Sequence, residues 1–110
     1  MRIERTDRGF EVDGVRLTHV ADIELEPDEL VTFAGGFDVT RKEWGYYATP
    51  SLNGRLLEHG LRAVLVLGGG KLYLLLVADG AEQAFEDYLR EQELRVVAWL
   101  DSDEAAGRFE

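Results

Sequence analysis

The stretch RKEWGYYATPSLNGR, residues 41 to 55, gathers the side chains best suited to chemistry. Arg41, Lys42 and Arg55 bring charge, Trp44, Tyr46 and Tyr47 bring ring faces, and Asn53 brings an amide. Those three cations are a quarter of the twelve Lys and Arg residues in a chain of formal net charge −10. Cations make charge-assisted hydrogen bonds to phosphate or carboxylate, and the unpaired N–H groups of a helix start favour the same anions. Aromatic rings stack on sugars and planar groups, while Gly45 and Gly54 lack the Cβ atoms that hinder close approach. Arg41, Lys42, Trp44, Tyr46, Tyr47, Asn53 and Arg55 are therefore the expected site of a small anionic or sugar-like ligand, held by an accessory binding module. Trp, Tyr and Arg are also the usual anchors of protein interfaces, so an interaction module using the same segment is the alternative. A concave pocket would mark the first reading and an exposed aromatic patch the second.

Acid–base chemistry on an anionic substrate ranks behind both. Glu43, Tyr46, Tyr47 and His59 are the acids and bases near the cations. If residues 44 to 48 form a strand, Tyr46 and Tyr47 point to opposite faces and only one can enter a given pocket. His59, near an expected helix end, is as well explained by the negative end of the helix dipole. The chain has no cysteine, which removes disulfides, thiolate metal sites and a cysteine nucleophile. Its two histidines, His19 and His59, have no metal-ligand spacing, and DSDE at 101 to 104 lacks the further ligands of a calcium loop. Gly68-Gly69-Gly70-Lys71 is followed by Leu72 and a strand pattern, so it is a turn and not a phosphate loop. No cofactor and no metal are expected.

The elements that must position residues 41 to 55 follow from periodicity. FEVDGVRLTHV (10 to 20) alternates about Asp13-Gly14, a hairpin signal, and ELVTFAGGFDVTR (29 to 41) repeats the pattern about Gly35-Gly36. WGYYA (44 to 48) prolongs this meander. Thr49 or Ser51, with Pro50 in the first turn and Gly60 as stop, predicts a short helix over 49 to 60. LRAVLVL (61 to 67) and KLYLLLVA (71 to 78) read as two central strands apolar on both faces. Asp79 as cap, Glu82 in a capping box, and Ala81, Ala84, Phe85, Tyr88 and Leu89 at helical spacing predict a helix near 80 to 92, with a Glu86–Arg90 pair outside. LRVVAWL (94 to 100) is the last strand, and DSDEAAGRFE (101 to 110) a frayed tail.

The fold class expected is thus α+β with a mostly antiparallel sheet: an N-terminal β-meander, a short helix and a C-terminal ββαβ unit. With 110 residues and no linker, the chain is expected to be one domain, 1–110. Its core is expected from Val64, Leu65, Val66, Leu67, Leu74, Leu76, Phe85, Leu89, Val96 and Trp99. Two strands apolar on both faces exceed what two helices cover, so a homo-oligomer is expected. Twenty-two acidic residues against twelve basic ones repel a phosphate backbone, so no nucleic-acid partner is expected. The apolar runs are too short for a membrane span and MRIERTDRGF has no apolar leader core, so no membrane partner and a cytoplasmic location are expected.

Overall fold

Eight strands and three short helices follow one another in a computed structural model that describes residues 1–108. The first hairpin joins β1 (Arg2–Val12) to β2 (Val15–Glu24) in a two-stranded antiparallel sheet. Asp13 and Gly14 both have positive φ, 50° and 80°, the geometry of the tight turn whose twist suits a hairpin. The pairing extends well beyond the expected 10 to 20 and continues through a bulge in β1. Arg5 faces Ala21 and Arg8 faces His19, so β1 uses three steps where β2 uses two. One extra residue exchanges the faces. Ile3 with Ile23, Phe10 with Leu17 and Val12 with Val15 therefore share one side, although Ile3 is odd-numbered and Phe10 even. Thr6, in the bulge, hydrogen-bonds across to the His19 carbonyl at 2.6 Å.

β3 (Leu30–Phe33), β4 (Phe37–Lys42) and β5 (Gly45–Ala48) make a second sheet in that order. The single meander expected over residues 1 to 48 is instead divided between two separate sheets. α1 is shorter than expected, Arg55–Glu58 and not 49 to 60. Asn53 and Gly54 are turn formers, and the chain spends residues 51 to 54 in turns before the helix can start. Ser51 still serves this start, its hydroxyl accepting the Arg55 N–H at 3.0 Å.

The third sheet has the order β7-β6-β8, with β6 (Leu61–Gly68) paired antiparallel to both β7 (Lys71–Ala78) and β8 (Arg95–Trp99). β7 and β8 therefore run parallel to each other on either side of β6, as a strand–helix–strand crossover requires. The helix between them, α2 (Glu82–Glu91), turns Phe85 and Leu89 onto Val64, Val66 and Val77. Each of those three valines contributes about 1.5 to 3 kcal/mol by leaving water. Phe85 meets the edge of Trp99 at 5.9 Å. On the opposite face, Leu56 of α1 and Ala63 of β6 are fully buried.

Four expectations for this unit change. Ala81, and not Asp79, is the N-cap of α2, and Glu82 accepts the Gly80 N–H instead of closing a box on Asp79. Arg90 pairs with Asp87, one turn away at i,i+3, and not with Glu86. In β7 the inward residues are Leu75 and Val77, while Leu74, expected in the core, is 54% exposed. The run YLLLV carries no alternation, so its buried parity is set by the register with β6, which puts Leu75 opposite Val64. Finally, residues 103 to 107 are not frayed: α3 (Asp103–Gly107) is capped by the Ser102 hydroxyl, which accepts the Ala105 N–H at 3.0 Å. Asp101 just before it is 6% exposed and anchored 2.5 Å from Arg62, whose guanidinium lies 4.0 Å over the Trp99 ring. Phe109 and Glu110 lie outside the described residues.

The chain divides into two compact units, Met1–Val31 with Val39–Tyr47, and Thr32–Asp38 with the chain from Ala48 onward. No helix of the described residues is long and apolar enough to cross a membrane.

Candidate functional site

Arg41, Lys42, Trp44, Tyr46 and Tyr47 come together in the first unit, on the hairpin formed by β4, the turn at Glu43 and Trp44, and β5. Successive strand residues point to opposite faces, and Tyr46 and Tyr47 do so here with different companions. Tyr46 lies under Arg41, whose guanidinium carbon is 5.3 Å from the ring centre. Tyr47 stacks with Trp44 at 6.1 Å and 25° between planes. The rings that sit together in sequence are thus shared between two pairs. Trp44 is 72% exposed, Tyr46 58% and Tyr47 41%.

Both cations of this hairpin are engaged within the unit. The Arg41 guanidinium donates to the Lys42 and Gly45 carbonyls, which brace the turn it precedes. Lys42 Nζ lies 2.5 Å from the Asp28 carboxylate, and that hydrogen bond raises the ammonium pKa above its ordinary value. Asp28 is held close by the backbone: its N–H donates to the Arg41 carbonyl at 2.8 Å.

Asn53 and Arg55 belong to the second unit. Arg55 donates to Asp38 at 2.9 Å, and Thr32 donates to the same carboxylate at 2.6 Å. The Thr32 hydroxyl first, then Arg55 and His59, hold the Asp38 carboxyl below the usual aspartate range. Asn53 donates to Asp103 at 3.1 Å. His59 sits beside Gly36, in the turn between β3 and β4.

Sequence reasoning did not single out Asp28 and Asp38, the counterions of Lys42 and Arg55. Asp28 follows Pro27 in a turn fourteen residues from its lysine, and nothing local announces the pairing. Asp38 carried a readable signal, a carboxylate between Phe37 and Val39 in a strand, where a buried position demands a partner.

Two open apolar grooves lie in the second unit. One, of about 340 Å³, runs between β7 and α2 and is lined by Leu75, Ala84, Phe85 and Tyr88 among others. The other, of about 380 Å³, is lined by Leu52, Asn53, Leu100, Ala105 and Ala106. Neither includes Arg41, Lys42, Trp44, Tyr46, Tyr47 or Arg55. Among the described residues, no group of three or more His, Asp or Glu side chains is placed to hold a metal ion. No protein-family model matches this sequence, and neither a curated protein nor a solved structure matches it.

Proposed function

We propose that this chain is a non-enzymatic interaction module that grips a protein partner with the β4–β5 hairpin. The observation that carries this reading is the Trp44–Tyr47 stack, 72% and 41% exposed at a hairpin turn. A stacked Trp–Tyr pair is a rigid apolar surface with polar N–H and O–H handles, and burying it under a partner gains area at little conformational cost. The cations of the segment favour the same reading over a small anion. Arg41, Lys42 and Arg55 each have an acceptor within the chain, so an anion would have to displace a carbonyl or a carboxylate to reach them.

Self-association is part of this reading. Leu72, Tyr73 and Leu74 on β7, an edge strand of the third sheet, are 59%, 47% and 54% exposed, and an apolar strand left bare at a sheet edge favours pairing with a second copy.

The hairpin reading is tested with the double variant Trp44→Ala, Tyr47→Ala. A protein cross-linked to the wild-type chain and identified by mass spectrometry is expected to be lost by the variant, whose melting temperature stays close to wild type. Retention of that partner by the variant, or a small molecule bound to wild type in native mass spectrometry and released by Arg41→Ala, overturns it.

A further inference from the structure

We propose that two copies of this chain associate through β7, edge to edge and antiparallel about a two-fold axis. The inference specifies a surface for the self-association proposed above and rests on it. Native sheets protect their edges with short strands, charges, prolines or bulges. β8, the other edge of the third sheet, has such protection: five residues, an exposed Arg95, and a register shift that leaves Val97 without a partner on β6. β7 has none of it. It is eight residues long, it keeps an unbroken register with β6 from Gly68↔Lys71 to Leu61↔Ala78, and its outer edge pairs with no strand of the described residues. From Leu72 to Val77 it carries no charge, and Leu72, Tyr73 and Leu74 are 59%, 47% and 54% exposed.

Geometry selects a second copy as the occupant. A two-fold axis perpendicular to the sheet keeps each face on its own side, so even-numbered residues of β7 must meet even-numbered residues of the second copy. Centring the axis on Leu74 pairs Leu72 with Leu76, Tyr73 with Leu75 and Leu74 with itself. Three consequences favour that register. The leucines at 72, 74 and 76 from both copies form one continuous stripe on the face away from α2. Tyr73 of each copy lies across from Leu75 of the other, over the open 340 Å³ groove that Leu75 lines with Ala84, Phe85 and Tyr88. Lys71 falls on the same face as Asp79 of the second copy and diagonal to it, which places opposite charges at both ends of an uncharged strand. Moving the axis to Leu75 would instead put Tyr73 across from Val77, which at 6% exposed leaves the ring less apolar surface to cover than half-buried Leu75 does.

The absence of cysteine makes the register directly testable. Sedimentation equilibrium of the wild-type chain at tens of micromolar is expected to give the mass of two chains, and Leu74→Lys the mass of one, with unchanged circular dichroism because the side chain is already exposed. Under mild oxidation Leu74→Cys is expected to cross-link to a dimer on a denaturing gel, and Leu72→Cys to stay a monomer. A monomeric wild type overturns both the self-association reading and this surface. A dimeric wild type whose mass is unaffected by Leu74→Lys leaves self-association standing and overturns β7. Cross-linking of Leu72→Cys in place of Leu74→Cys overturns the register.

Discussion

Asp38 sets the clearest residue-scale expectation. Its carboxylate accepts hydrogen bonds from Thr32 and Arg55, and both favour the ionised form, so its folded pKa lies below its unfolded value of about 3.9. Where a carboxyl is harder to protonate folded than unfolded, the unfolded chain binds more protons in that range. The stability contributed by Asp38 is therefore fully present above about pH 4 and is lost as pH falls through its depressed folded pKa. Asp38→Asn removes this dependence, so thermal melts between about pH 5 and pH 2.5 should show a shallower acid loss than wild type. Glu29 adds to the wild-type acid loss by the same logic, since the Glu26 N–H that its carboxylate accepts lowers its pKa. A variant with the wild-type slope would mean that the Asp38 bonds do not persist in solution. At this scale the sequence shows which side chains are available and hides their partners. Arg41, Lys42 and Arg55 stand together in the chain, yet the carboxylates that engage Lys42 and Arg55 come from positions fourteen and seventeen residues away.

Turn chemistry governs the elements. Gly35 and Gly36 close the β3–β4 hairpin, both at φ +100°, which L side chains rarely adopt. They differ in surroundings: a Cβ on Gly35 meets nothing within 4 Å, whereas one on Gly36 runs into the His59 ring. Gly35→Ala is expected to cost about 1 to 2 kcal/mol through the backbone alone. Gly36→Ala should cost more because the imidazole must also move, and at about 4 to 8 °C per kcal/mol the two melting temperatures are easily separated. Equal losses would show that His59 yields freely. The same scale explains what could be read in advance. Asp13-Gly14 and Gly35-Gly36 announce their hairpins because only such residues fit those turns. The length of β1 was hidden by its bulge, since an alternation that changes parity between Arg5 and Arg8 no longer looks like one strand. YLLLV fixed the existence of β7 without its inward face, because every position is apolar and the register with β6 decides.

Charge acts on the whole molecule. A net −10 on every copy opposes self-association at any geometry, and the force reaches as far as the ionic strength permits. The proposed β7 contact is uncharged along its centre, with Lys71 and Asp79 at its ends. Two exposed ion pairs of that kind contribute about 0 to 1 kcal/mol each and weaken in salt. The repulsion between two acidic copies weakens too, and it involves many more charges. The Debye length falls from about 30 Å at 0.01 M salt to about 8 Å at 0.15 M, so repulsion between charges away from the contact is largely screened over that interval. The apolar stripe is not weakened by simple salt in the same way. Repulsion should therefore dominate the salt response, and sedimentation at a fixed micromolar concentration is expected to show the dimer fraction rising between 0.01 and 0.15 M sodium chloride. Lys71→Ala should steepen that rise, because it adds one unit of negative charge per copy and removes the contact that salt opposes. A dimer that dissociates as salt is added would instead be held mainly by opposite charges, and the uncharged centre of β7 would not be its principal contact.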